Sequence, residues 1–339
     1  MDRTLVEGAA ADVFERERPY LLSVAYRLTS SWADAEDAVA RAWPRWAVAA
    51  SDETDPVRVP RAWLTRAVSR QALDHLRSAQ VRREQYVGPW LPEPLVTAAP
   101  AAGGPGGGPG GGPAPDPLDV VVRDESVRLA FLVVLDTLTP EQRVAFVLHD
   151  VLDLPFREVA DVLGCEEATA RQHASRARRR VAEADPEPRA PAGEVAVVVE
   201  RLAAALATGD VEGVAMLLAP DVVAVSDGGG IVAAARRVVR GVDHVSRFLA
   251  SLPTRYAPDL TIEPVLVNGD LGWHARQTPR LPHHPEQVVV TFALREGRIS
   301  AVYNVSSPEK LAPAGSLPRT RAGAGERPSA PGAGSATVP

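Results

Sequence analysis

The sequence predicts a multidomain protein in which two all-α domains precede one α+β domain. Three observations lead to this prediction. Apolar residues recur at helical spacing as far as about residue 184, whereas strand-like runs dominate the chain after residue 220. Between these parts, residues 98–117 and 185–193 are rich in Pro, Gly and Ala, as linkers are.

Composition limits the classes of function. The formal net charge is −6, so any basic surface for nucleic acid has to be local. A single cysteine, Cys165, excludes an intrachain disulfide and a cysteine-based zinc cluster. No run approaches the roughly 18 apolar residues of a membrane span. We therefore expect a cytoplasmic, nucleoid-associated protein with no membrane contact, no metal and no cofactor.

The first all-α domain is expected over residues 10–86. Ser31, three residues before Asp34, is typical of a helix start, and Pro60 opens a longer helix. This helix carries Trp63 near its start and an excess of arginine, which suits contact with a nucleic-acid backbone and stacking on an unpaired base. A solvated face and a core tryptophan explain the same residues equally well.

The second all-α domain, residues 118–184, contains a predicted helix-turn-helix. A capping signature at Thr139 starts one helix, Pro155 starts the next, and Gly164 supplies the left-handed residue at its end. The last helix has a thin apolar side formed by Ala170, Ala174, Ala177 and Val181. Its other side carries Thr169, Arg171, Gln172, Ser175, Arg176, Arg178 and Arg179. Such guanidinium and amide groups can reach base edges and phosphates, so we predict a DNA recognition helix; a solvated basic face is the alternative.

The α+β domain is expected over residues 194–311. A helix over 195–207 and a short second helix precede six strand-like runs. These runs are 222–225, 231–235, 260–268, 272–276, 288–294 and 299–305. Hairpin turns are predicted at 270–272 and 295–298. Helices followed by a curved antiparallel sheet are typical of an α+β cone, and residues 312–339 are expected to form a disordered tail.

Several stretches together resemble the extracytoplasmic-function (group IV) sigma factors of the sigma-70 superfamily. Residues 20–43, YLLSVAYRLTSSWADAEDAVARAW, and 60–78, PRAWLTRAVSRQALDHLRS, resemble region 2 of that family. Residues 138–181 resemble region 4. Residues 86–94, YVGPWLPEP, resemble the linker motif of a subgroup with a fused C-terminal SnoaL-like domain. The Gly/Pro part of the linker at 87–117 would then be a flexible tether that lets the two helical domains reach separate promoter elements.

The resemblance implies an alternative sigma factor that binds core RNA polymerase and directs promoter-specific initiation. Region 2 would dock on the β′ clamp helices through Asp34, Asp37 and Trp43, and region 4 on the β flap. Region 2 would engage the −10 element through Trp63, Arg66, Arg70 and Arg77. Region 4 would read the −35 element, with Arg171, Gln172 and Arg176 setting sequence preference and Arg178 and Arg179 contacting phosphates.

The resemblance also implies that the C-terminal domain, a fold related to the nuclear-transport-factor-2 superfamily, regulates the other two. The subgroup's DGGG motif corresponds to Asp227, Gly228, Gly229 and Gly230. Its terminal motif corresponds to Pro308, Glu309, Lys310 and Leu311. These motifs would contact the linker residues Trp90, Leu91, Pro92, Glu93 and Pro94.

Two other classes of function remain open from the sequence. One is a helix-turn-helix regulator that binds an operator without polymerase. The other is a DNA-tethered ligand-sensing or enzymatic module, with a small molecule in the C-terminal cone. Groups available there for acid–base chemistry are Asp227, Asp243, His244, His274, His283 and His284, and the sequence does not show whether they converge. Since nucleophile-elbow, Walker and metal-ligand spacings are absent from the sequence, we expect no enzyme.

Overall fold

The computed structural model describes residues 3–52, 54–83, 86–99, 125–184, 189–252, 260–279 and 281–312. Most of the expected Gly/Pro tether and nearly all of the expected disordered tail lie outside the described residues. In the described part, no helix is both long and apolar enough to cross a membrane.

The first domain consists of three long helices: α1 (Arg3–Thr29), α2 (Trp32–Ala50) and α3 (Pro60–Arg83). The Ser31 hydroxyl accepts a hydrogen bond from the Asp34 backbone N–H, so the predicted start of α2 is confirmed.

The second domain consists of short helices, as the punctuated sequence predicts. After a helical turn at Glu125–Val127, they are α4 (Leu129–Leu135), α5 (Pro140–Phe146, extended by a π-helical turn to Val151), α6 (Phe156–Leu163) and α7 (Glu167–Ala184). Thr139 and Gln142 form a reciprocal capping box at the start of α5. Gly164 ends α6 with a φ of +67°, where a side chain would be strained.

The two helical domains share one hydrophobic core. Leu21 and Leu64 of the first domain belong to the same buried cluster as Val144 and Ala170 of the second. The halves that the sequence predicts to be separately mobile are therefore packed together in this structure.

The third domain begins with α8 (Ala192–Thr208) and α9 (Val211–Met216). It adds α10 (Val242–Ala250), α11 (Pro308–Leu311) and a seven-stranded sheet in the order β1-β4-β5-β6-β7-β2-β3. The strands are β1 (Val96–Ala98), β2 (Leu218–Asp227), β3 (Val239–Arg240), β4 (Thr261–Val267), β5 (Asp270–Arg276), β6 (Gln287–Arg295) and β7 (Arg298–Val305).

Three details of the sheet differ from the sequence predictions. Residues 231–235 are not a strand, because the N–H groups of Ile231 and Val232 bond back to Gly228 in a local turn. The first hairpin turn is Asn268-Gly269 and not 270–272, since both residues adopt positive φ as a two-residue turn requires. The sheet is mixed, because β2 and β7 pair in parallel.

The linker between the helical domains supplies an edge strand to the third domain. Val96–Ala98 pairs antiparallel with β4, so the start of the linker is a fixed structural element and not a free tether. The sheet becomes a middle layer. One face packs on α8 and α10, and the other packs on the linker and α4.

Candidate nucleic-acid interface and interdomain contacts

Helix α7 presents the predicted recognition surface to solvent. Ala170, Ala174 and Ala177 are fully buried against the rest of the second domain. Six of the seven predicted contact residues are exposed, while Thr169 is half-buried. The exposed ones are Arg171, Gln172, Ser175, Arg176, Arg178 and Arg179. Small residues on the buried side bring the helix close to its support, while guanidiniums and amides remain available for DNA.

The arginines of α7 make only contacts within their own domain. Arg171 pairs with Glu167 one turn earlier and lies over the Phe156 ring, 5.4 Å from its centroid. Arg178 is 2.8 Å from the Asp150 carboxylate. These pairs are solvent-exposed and weak, so phosphates can compete for the same guanidiniums.

The arginines of α3 are in a different situation, because acidic residues of the second domain face them. The Arg70 guanidinium is 3.0 Å from the Asp161 carboxylate and donates to the Asp161 carbonyl. Arg66 approaches Glu158 at 3.5 Å, and Arg77 approaches Glu141 at 3.1 Å. All three arginines predicted to contact the −10 element are therefore ion-paired to the domain predicted to read the −35 element.

A buried arginine fastens the same interface. Arg143 of α5 is 1% exposed, and its Nε and Nη2 donate to the Arg27 carbonyl at 3.0 and 2.8 Å. It also bonds to the Ser30 hydroxyl at 2.5 Å and pairs with Asp136. A guanidinium with this many partners fixes the second domain against the end of α1.

The remaining predicted residues of region 2 are partly committed to structure. Trp63 packs on Trp46 with ring centroids 5.6 Å apart, and Trp43 packs edge-on against Phe14 at 5.1 Å. Asp34 lies 3.0 Å from the His75 imidazole. Asp37 and Arg41 pair one turn apart on the exposed face of α2.

Asp227 is the centre of a network that joins three segments far apart in sequence. Its carboxylate is fully buried and accepts from the Tyr86 hydroxyl at 2.5 Å and the Leu91 N–H at 2.8 Å. The Lys310 ammonium lies 2.6 Å from the same carboxylate and donates to the Leu91 carbonyl. Lys310 also sits 4.0 Å above the Trp90 ring. The linker, DGGG and terminal motifs are thus brought together around one ion pair.

Burial shapes the chemistry of this network. Burial, with the Asp227 carboxylate next, raises the pKa of Tyr86 well above its ordinary value, so the hydroxyl remains a donor. The glycines of the DGGG motif allow the close approach. A side chain at Gly228 would meet the Val232 carbonyl, and one at Gly229, whose φ is +69°, would meet Ser307. Within the terminal motif, Pro308 and Glu309 are exposed, while Leu311 is buried.

Glu93 carries the linker contact into the first domain. Its carboxylate accepts from the Ser31 hydroxyl at 3.0 Å and the Trp32 N–H at 2.8 Å, at the N-terminus of α2. Burial raises the pKa of Glu93, and these hydrogen bonds act in the opposite direction. The Tyr26 hydroxyl donates to the Glu93 carbonyl at 2.7 Å. The linker therefore ends against the helix predicted to dock on polymerase.

The turn between β4 and β5 inserts between both helical domains. The Asn268 side-chain amide donates to the Tyr26 hydroxyl at 2.8 Å and the Val127 carbonyl at 2.6 Å. Its carbonyl oxygen accepts from the Leu95 N–H at 3.0 Å, and its own N–H donates to the Leu95 carbonyl. One fully buried side chain thus connects α1, the linker and the segment before α4.

Asp270 extends this interlock on the other side of the turn. Its carboxylate lies 2.9 Å from Arg128, directly before α4, and 2.9 Å from Arg189, directly before α8. Sequence reasoning missed Arg143, Asn268 and Asp270. The Asn-Gly pair was an available hairpin signal, but local sequence does not reveal which partners a turn or a helical arginine will meet.

A cavity of about 580 Å³ lies between α8, α10 and the inner face of the sheet. None of the six acid–base candidates lines it. His274 points to the opposite face, where burial lowers its pKa and its Nε2 lies 3.1 Å from Gln287 Oε1. His283 is exposed, as expected. Among the described residues, no cluster of three metal-binding side chains occurs.

Family profiles match all three domains. Residues 13–82 match Sigma-70 region 2, residues 128–181 match Sigma-70 region 4, and residues 199–302 match a SnoaL-like domain. The resemblance inferred from the sequence is thereby confirmed, together with the fold class.

Two curated relatives come from Mycobacterium tuberculosis. The ECF RNA polymerase sigma factor SigJ is 46% identical over 309 residues, covering 88% of this chain and 92% of its own length. The probable ECF RNA polymerase sigma factor SigI is 33% identical over 73% of this chain and 78% of its length. The crystal structure of the extracytoplasmic function sigma factor SigJ aligns with a TM-score of 0.70 at 42% identity, covering 89% of this chain and 98% of that one.

Proposed function

We propose a mechanism for this chain on the premise that it belongs to the extracytoplasmic-function RNA polymerase sigma factors. As a member of that family it is a transcription initiation factor. Region 2 would engage the −10 element and region 4 the −35 element, and the SnoaL-like domain would modulate both.

The ion-paired interface between α3 and region 4 is the observation that carries this mechanism. Arg66, Arg70 and Arg77 cannot contact DNA while they face Glu158, Asp161 and Glu141. The described conformation therefore corresponds to a closed state, in which α7 is accessible and α3 is covered. Promoter opening would require region 4 to leave α3.

Polymerase is the partner that would supply the free energy for this separation. Three partly exposed ion pairs contribute about 0.2–1 kcal/mol each, and the shared hydrophobic core adds to them. Docking of α2 through Asp34, Asp37 and Trp43 on the β′ clamp helices, and of region 4 on the β flap, would compensate for that loss. In the cell this complex would lie on the nucleoid.

The C-terminal domain would set how easily the closed state opens. It holds the linker through Asp227 and Lys310, and it holds both sigma regions through Asn268 and Asp270. None of its acid–base candidates lines its cavity, which favours a regulatory over a catalytic role. The cavity itself favours a second role for this domain, binding of a small molecule.

Run-off transcription with purified core polymerase and a promoter library of random sequence tests the mechanism. We expect transcripts that start only when the full chain is present. A double variant, Glu158→Gln with Asp161→Asn, should raise initiation because α3 is released more readily. Duplex DNA binding without any initiation would instead identify an operator-binding regulator.

A further inference from the structure

The cavity of the C-terminal domain has the size and lining of a ligand site. Its volume of about 580 Å³ falls within the usual range for sites that hold drug-sized molecules. Leu202, Trp273, Phe292 and Val302 are among the apolar side chains that line it. A space of this size with an apolar lining is a poor site for water, which needs several polar partners.

The polar groups of the lining limit the chemistry of the occupant. The charged residues that line the cavity are Glu200 and Glu286, and the lining contains no arginine, lysine or histidine. An anionic ligand would therefore meet two carboxylates and no counter-ion. A carboxylate, phosphate or sulfate in this site is disfavoured on charge alone.

Two buried polar atoms lie side by side on the sheet beneath the cavity. Ser226 of β2 and Asn304 of β7 are directly paired in register, and both belong to the lining. The Ser226 hydroxyl and the Asn304 carbonyl oxygen have no hydrogen-bond partner among the described residues. Since a buried acceptor without a partner costs free energy, a ligand hydroxyl or amine that reached Asn304 would be favoured.

The cavity is also connected to the interlock with the sigma regions. Leu271 and Trp273 line it and directly follow Asp270 on β5, while Pro264 lines it four residues before Asn268 on β4. A molecule in the cavity would thus rest on the same hairpin whose turn bonds to Tyr26, Leu95 and Val127.

We propose that this cavity binds an uncharged, mostly apolar molecule with one hydrogen-bond donor, and that its occupancy alters the β4–β5 turn that holds the closed state. The binding step stands on the cavity alone. Its consequence for transcription rests on the proposed sigma-factor function.

Two fluorescent probes of similar ring size test the ligand class on the full chain. N-phenyl-1-naphthylamine is uncharged and carries one N–H donor, whereas 1-anilinonaphthalene-8-sulfonate is anionic. We expect saturable binding of one N-phenyl-1-naphthylamine per chain, with energy transfer from Trp273, and at least tenfold weaker binding of the sulfonate. Equal or tighter binding of the sulfonate would overturn the proposed class.

Two neighbouring alanines of α8 provide a matched pair of variants. Ala203 lines the cavity and Ala204 does not, and both are exposed, so neither substitution should impair folding. Ala203→Phe should weaken binding of the uncharged probe at least tenfold, while Ala204→Phe should leave it unchanged. Equal affinity in both variants would place the probe elsewhere and overturn the site.

Amide hydrogen exchange tests the connection to the interlock. Saturating N-phenyl-1-naphthylamine should change the exchange rate of peptides containing Asn268 and Leu95 in the wild-type chain, and not in Ala203→Phe. Binding without such a change would refute the coupling. Run-off transcription without probe keeps the two proposals apart: initiation without probe binding sinks the ligand site alone, and probe binding without initiation sinks the sigma mechanism alone.

Discussion

Helices α3 and α7 are both rich in arginine, yet the structure treats them differently. On α7 the guanidiniums are exposed, up to 74% for Arg179, and their ion pairs lie within region 4. On α3, Arg66, Arg70 and Arg77 are 31–48% exposed and pair with region 4 acids. The contrast teaches that similar basic helices acquire opposite accessibility from the acids placed opposite them. In the described conformation, region 4 is ready for duplex DNA while region 2 is covered.

The largest effect is expected from removing the buried charge that fastens the linker, since α3 stays covered only while the C-terminal domain is in place. Asp227→Asn would leave the Lys310 ammonium, 14% exposed, without its carboxylate. Breaking such a pair costs about 3–5 kcal/mol. Denaturant unfolding should show this loss, together with tighter binding of single-stranded −10 DNA.

Asp221→Asn is the matched control. Asp221 pairs with Arg295 on the surface of the same domain, so its loss should leave the unfolding curve unchanged. If Asp227→Asn proved equally silent, the ion pair would not hold the linker.

The next largest effect concerns the open side of the contrast. Arg176→Ala should weaken binding of a selected −35 duplex by about 1–3 kcal/mol, roughly 10- to 100-fold, and relax preference at one base position. Arg70→Ala should not affect this duplex, because Arg70 is covered. Measured affinities for a panel of single-base variants check this. A uniform loss across the panel would make Arg176 a phosphate contact.

A smaller effect is expected from uncovering α3 directly. Glu158→Gln and Asp161→Asn each remove one interdomain ion pair worth about 0.2–1 kcal/mol. The double variant should therefore bind single-stranded −10 DNA roughly 2- to 30-fold more tightly in a fluorescence anisotropy titration.

Neutralising two acids also changes the net charge, so the control makes the same change elsewhere. Glu212→Gln with Asp243→Asn alters two exposed acids of the C-terminal domain. An equal gain in this control would mean that net charge, and not the covering of α3, limits binding.

The smallest effect sharpens the roles within α7. Arg178→Ala should weaken binding equally for all duplex sequences and lower the slope of log affinity against log salt by about 0.9. Titrations at several salt concentrations measure this slope. A changed base preference with an unchanged slope would assign Arg178 to base readout.

Local sequence signals determined most of the elements of this protein. The capping box at Thr139, the left-handed Gly164 and the alanine side of α7 specify the helix-turn-helix through interactions within a few residues, and the structure contains all three. The DGGG and YVGPWLPEP motifs could likewise be matched to a subgroup, because the residues of each motif are contiguous.

Only the tertiary structure decided what those elements meet. Asn268 bonds to Tyr26 and Val127, which are 242 and 141 residues away, and no local pattern encodes such a partner. The same holds for Arg70 and Asp161, which are 91 residues apart, and for the strand that the linker adds to the sheet. Periodicity and capping report interactions within a few turns of chain, so they identified two DNA-binding surfaces. That one surface is open and the other covered follows from long-range packing and charge pairing, which exist only in the folded protein.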